Sequence, residues 1–191
     1  MIIPAIALYL ALSPTGAPPK TDPPTSSTTR VYSDPDLGLA FDYPSNWTYQ
    51  KKDKKSPARF MIPIEGTNSK GELRVIDLDY RGTAELFQTT QATMIATLNQ
   101  TLVRQWQIEV LGVPMLLTKV KSANAEGETT TLVGLLYANT PRKFNFRLTA
   151  PSGQFESVEL PWQAVLETLR TTSGALPASG DTPPPKVDPK D

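Results

Sequence analysis

The chain has 191 residues, 19 basic and 19 acidic, with no histidine and no cysteine. Those absences exclude disulfides, thiolate or imidazole zinc sites, and catalysis by a Ser-His-Asp triad, a Cys-His pair or a histidine base. The charge balance, which also holds between Val31 and Thr172, lacks the basic excess expected of a nucleic-acid binder.

Residues 1–17 read as an apolar leader. Residues 1–12 are apolar, interrupted by Pro4 and not preceded by Lys or Arg. The run is too short for a bilayer span of about 20 residues and has the length of a signal-peptide core. The reading is an export signal, its start at Met1 or upstream; the plainer alternative is an uncut apolar end. Residues 18–30 continue a Pro/Thr/Ser-rich linker, with Pro18, Pro19, Pro23 and Pro24, and residues 173–191 form a second Pro-rich segment. Both compositions predict extended, solvated tails flanking one domain over residues 31–172.

Within the domain, Leu39, Phe41 and Tyr43 alternate with Gly38, Ala40 and Asp42, the period of a half-buried strand. Pro44 ends it, and Trp47 and Tyr49 reopen the pattern as the second arm of an opening hairpin. Phe60, Ile62 and Ile64 predict the next strand, then residues 73–80 another. Thr83 is a candidate N-cap for an amphipathic helix over residues 84–99, its apolar face carrying Phe87, Met94, Ile95 and Leu98. Trp106, Ile108 and Val110 alternate cleanly on the following strand. Gly112-Val113-Pro114 turns the chain into residues 115–121. Residues 131–138 are apolar on both faces, as in a central strand. Phe144, Phe146 and Leu148 mark the last long strand. Val158, Trp162, Val165, Leu166 and Leu169 mark a terminal helix, with Pro161 placed in its first turn.

Strands, helix, four strands, helix, joined by short connections, predict an antiparallel sheet flanked by helices on both faces: an α/β (α+β) three-layer α/β/α sandwich. Gly38-Leu39-Ala40-Phe41-Asp42-Tyr43-Pro44-Ser45-Asn46-Trp47, Leu111-Gly112-Val113-Pro114 and Trp162-Gln163-Ala164-Val165-Leu166-Glu167-Thr168-Leu169-Arg170 resemble the PsbP-like superfamily over nearly the whole domain. The resemblance implies a binding or adaptor module without catalysis of its own. Histidine metal ligation, suggested for photosynthetic relatives, has no counterpart here, and no cofactor is expected.

Lys51, Lys52, Lys54 and Lys55 form the densest charge cluster, a candidate patch for an acidic partner or anionic head group and, more plainly, a solvated loop. Asp77 and Asp79 share a strand face but are too few to hold Ca²⁺ alone. Asn46-Trp47-Thr48 and Asn99-Gln100-Thr101 match the glycosylation pattern, and turn chemistry explains both. Trp47, Trp106 and Trp162 fall at core phases. The functional expectation is an exported, non-enzymatic adaptor whose partner is another envelope protein, with membrane contact at most peripheral and no nucleic acid. The alternatives are an auxiliary factor of photosystem II or thylakoid membranes, and a carboxylate-dependent hydrolase or small-ligand carrier.

Overall fold

Short antiparallel connections account for most of the topology. The structure, a computed structural model, describes residues 28–51, 58–79, 84–125, 127–136 and 142–172. Strands β1 (Thr29–Asp34), β2 (Leu39–Pro44), β3 (Thr48–Gln50), β4 (Ala58–Pro63) and β5 (Lys70–Asp79) precede helix α1 (Ala84–Thr97). Strands β6 (Thr101–Val110), β7 (Val113–Asn124), β8 (Gly127–Leu136) and β9 (Arg142–Pro151) follow, then helix α2 (Phe155–Glu167) and the short β10 (Arg170–Thr171). The leader, the C-terminal segment and Thr83 lie outside the described residues.

The described strands form two antiparallel sheets, giving a mixed α+β fold. Seven strands run in the order β3-β4-β5-β9-β8-β7-β6, and three in the order β1-β2-β10. This corrects the expected opening hairpin. β2 pairs with β1 and β10, while β3 pairs with β4. A turn closed by Trp47 N–H donating to the Pro44 carbonyl at 3.0 Å separates the two sheets. The proline ends the β2 ladder there, because it has no N–H to continue it. β1 also takes Thr29 and Arg30, which composition assigned to the linker; pairing with Pro44 and Tyr43 outweighs their exposed, polar character.

β8 lies between β7 and β9, as its two-sided apolar run predicts. The larger core cluster joins Phe60, Leu73, Val75, Met115, Leu117, Leu132, Phe146 and Leu148 with Val158, Trp162, Val165 and Leu166 of α2. The alternate residues Leu116 and Leu135 form a smaller cluster with Leu78 and with Phe87 of α1. Neighbouring strand residues point to opposite faces, so each helix draws on a different set of side chains from the same strands.

α2 begins at Phe155, three residues earlier than the apolar spacing indicates. Pro161 therefore lies inside the helix rather than in its first turn. It removes one backbone bond, an effect of about 3 kcal/mol, which the burial of Phe155, Val158, Trp162, Val165 and Leu166 offsets.

Candidate docking groove

β6 is the last strand of the large sheet, and its alternation places Trp106 and Ile108 on one face beside α2. Because no further strand pairs with β6 among the described residues, these side chains form the wall of a groove. Its volume is about 420 Å³, with Trp106, Ile108, Val110, Trp162 and Leu166 lining the apolar part and Glu109, Gln163 and Glu167 also contributing. A more polar depression of about 460 Å³ adjoins it, sharing Trp106 and Gln163 and adding Arg104, Lys119, Glu156 and Glu159.

The groove combines rigid apolar surface with a few directed polar groups. Trp162 is 1% exposed, and its indole Nε1 has no hydrogen-bond partner among the described residues. A buried N–H without a partner forfeits its solvation, a penalty of about 1–3 kcal/mol. The Arg104 guanidinium carbon lies 4.9 Å from the centre of the Trp106 ring, a cation–π distance. Lys119 Nζ donates to Glu159 Oε2 at 2.7 Å and sits 4.6 Å from the centre of the Phe155 ring.

Leu111 helps line the apolar end. With Gly112 it makes the two-residue turn between β6 and β7, at φ +57° and +75° respectively. Such turns need positive φ at both positions and favour Asn or Gly. A leucine there carries a left-handed backbone costing about 1–2 kcal/mol.

A second apolar cleft, about 270 Å³, lies under α1 between Phe87, Met94, Ile95 and Leu98 of the helix-turn region and Ile76, Leu78 and Val133 of the strands. The expected amphipathic packing is only partial. Met94 and Leu98 are 55% and 57% exposed, because the cleft keeps the helix's apolar residues from closing on the sheet. A polar chain ties the layers: Gln105 Nε2 donates to Thr118 Oγ1, which donates to Gln91 Oε1, each at 3.0 Å.

Elsewhere, Glu72 accepts from Arg59 at 2.8 and 3.0 Å and also pairs with Arg74. Burial raises the Glu72 pKa, but the two guanidinium groups together prevail and hold it at about 2. Burial, reinforced by neighbouring Asp34, pushes the Tyr32 phenol upward; its hydroxyl donates to Asp34 Oδ2 at 3.1 Å.

Of the lysine patch, Lys51 is exposed, and Lys52, Lys54 and Lys55 lie outside the described residues. Asp77 is half-buried opposite Phe144, and no group of three potential metal-ligating side chains occurs among the described residues. Trp47 and Trp162 are buried, as their phase indicates. Trp106 is not. It is only partly buried against the core, since period-two alternation cannot reveal that β6 ends the sheet. Its run of one-sided apolar residues was the available signal for the groove.

No protein-family model and no curated protein matches the sequence. Solved structures do match. Cyanobacterial PsbP (CyanoP) from Synechocystis sp. PCC 6803 aligns at 16% identity and TM-score 0.55, over 82% of this chain and 98% of that one. The Ran-binding protein Mog1p of Saccharomyces cerevisiae aligns at 10% identity and TM-score 0.53, over 80% and 100%. LpqN of Mycobacterium tuberculosis, involved in cell envelope biogenesis, aligns at 8% identity and TM-score 0.52, over 76% and 85%. The chain thus has the PsbP-like fold shared with Mog1p.

Proposed function

We propose that this PsbP-like chain is a non-enzymatic binding module, exported to the cell envelope, which docks another protein in the groove between β6 and α2. The observation that carries the reading is an open apolar groove beside the last strand of the sheet, walled by Trp106 and Ile108, which stay only partly buried. The residue inventory supports the absence of catalysis: there is no imidazole or thiol in the chain, and Glu159 in the polar depression is engaged by Lys119. Ran binding by Mog1p supports a protein partner, and the involvement of LpqN in cell envelope biogenesis supports the location. The same reading takes α1 and α2 as outer layers of a three-layer α/β/α sandwich.

Two narrower readings each have one supporting observation. The likeness to cyanobacterial PsbP supports the alternative of an auxiliary role at photosystem II or thylakoid membranes, in which the chain would work in a thylakoid lumen rather than in a periplasm or at a cell surface. The apolar cleft under α1 favours a small-ligand carrier.

Affinity purification of the tagged full-length chain from its native host, with gentle cross-linking and cell fractionation, tests the main reading. It predicts recovery in the envelope fraction with one protein in comparable amount. A cytoplasmic chain recovered alone would contradict both the location and the adaptor role.

A further inference from the structure

The apolar end of the β6–α2 groove is edged by charge of one sign. Glu109 and Glu167 line it beside Ile108, Val110 and Leu166. Both are exposed, and neither forms an ion pair among the described residues. At the opposite end Glu156 is likewise unpaired, Lys119 is engaged by Glu159, and Arg104 lies over Trp106. An apolar floor edged by uncompensated carboxylates is complementary to apolar side chains accompanied by a cation.

The adjoining backbone selects the shape of the occupant. β6 ends its sheet, so its outer edge offers N–H and C=O groups that no strand uses among the described residues. A register shift between Leu102 and Arg104 limits regular pairing to Arg104–Val110, a length of about 20 Å. An extended peptide added to such an edge takes its affinity from main-chain bonds and its specificity from alternate side-chain pockets.

Building on the groove as docking site, we propose that its occupant is an extended segment of a partner protein with alternating apolar and basic residues. The segment continues the seven-stranded sheet beyond β6. Its apolar side chains enter the groove beside Trp106, Ile108 and Val110, its alternate lysines or arginines lie on the opposite face with Glu109, and a basic residue at its end reaches Glu167 on the groove side.

The test uses the full chain and two fluorescent peptides of about eight residues, the length that spans the usable edge. One alternates valine with lysine, the other valine with glutamate, and fluorescence anisotropy reads binding. The expected result is at least a roughly tenfold preference for the basic peptide, weakened by salt and reduced about fivefold in the E109Q/E167Q double variant. Both positions are exposed, so circular dichroism of the variant should match the parent. A preference for the acidic peptide, or equal binding, overturns the charge assignment and leaves groove docking standing. Binding of neither peptide overturns both. A basic preference unchanged by the double variant places the contact elsewhere and overturns the proposal. Tighter binding after removal of residues 173–191 identifies the chain's own C-terminal segment as occupant. A dimer competing with the peptide identifies a second copy, and either result also overturns it.

Discussion

α2 and α1 hold to the large sheet in different ways. α2 buries five side chains, including Trp162, in the main cluster. None of the side chains described for α1 is fully buried, and a cleft of about 270 Å³ remains beneath it. Thr90, Thr93 and Thr97 of α1 each donate to the carbonyl four residues back, at 2.8, 3.1 and 2.9 Å. Such back-bonding slightly weakens a helix. The contrast assigns α2 to stability, with the candidate docking groove on its flank, and makes α1 the more loosely held of the two helices.

Truncation separates the two regions most sharply. Trp162→Ala should lower unfolding free energy in urea by about 3–5 kcal/mol, whereas Phe87→Ala in α1 should lower it by about 1 kcal/mol or less. Equal losses would erase the distinction. A close approach on the α2 side gives the next largest effect. A Cβ on Gly71 would sit 2.8 Å from Val158 Cγ1, so Gly71→Ala should destabilise by about 1–3 kcal/mol. Adding Val158→Ala should cost less than the two single losses summed, because both changes act on one contact.

The sequence displayed this contrast unevenly. Strict alternation in β6 and β9 and the two-sided run in β8 are direct consequences of strand geometry, so those elements were legible. Val158 to Leu169 likewise carry a helical apolar spacing that burial requires, whereas Phe155, which opens α2, was not read as part of it. β1 and β10 were hidden because exposed Thr29, Arg30 and Arg170 have no periodic signal; their pairing depends on β2, distant in sequence for β10. Met94 and Leu98 sit at helical spacing, yet spacing records which residues share a face and not how closely that face approaches a sheet. The groove was legible only in part: the one-sided apolar run was there to read, but nothing in Trp106-Gln107-Ile108 states that β6 has, among the described residues, a neighbour on one side only.

Charge on the exposed strands sharpens the comparison by a smaller amount. Glu72, held at about 2 against an ordinary value of 4.5, contributes stability above pH about 4.5 that is lost as pH falls through about 2. Because Arg59 and Arg74 are about two-fifths exposed, solvent screens the pair and the contribution is about 1–2 kcal/mol. Glu72→Gln should remove that part of the acid dependence, measured as urea midpoints across this window. The smallest effect concerns the groove's lip. Leu111→Asn should raise the melting temperature by an amount corresponding to about 1 kcal/mol or less, since Asn tolerates a left-handed backbone, while weakening peptide docking. Loss of both stability and docking would show that Leu111 serves packing alone.

The decisive comparison places a photo-cross-linking residue at Gln163, which is exposed within the groove, or at Thr93, which is exposed on α1. Each full-length variant is irradiated in the native host, and cross-linked peptides are identified by mass spectrometry. Docking between β6 and α2 predicts one partner protein joined reproducibly through position 163 and absent from position 93. The same partner captured through position 93 and not through 163 would contradict it.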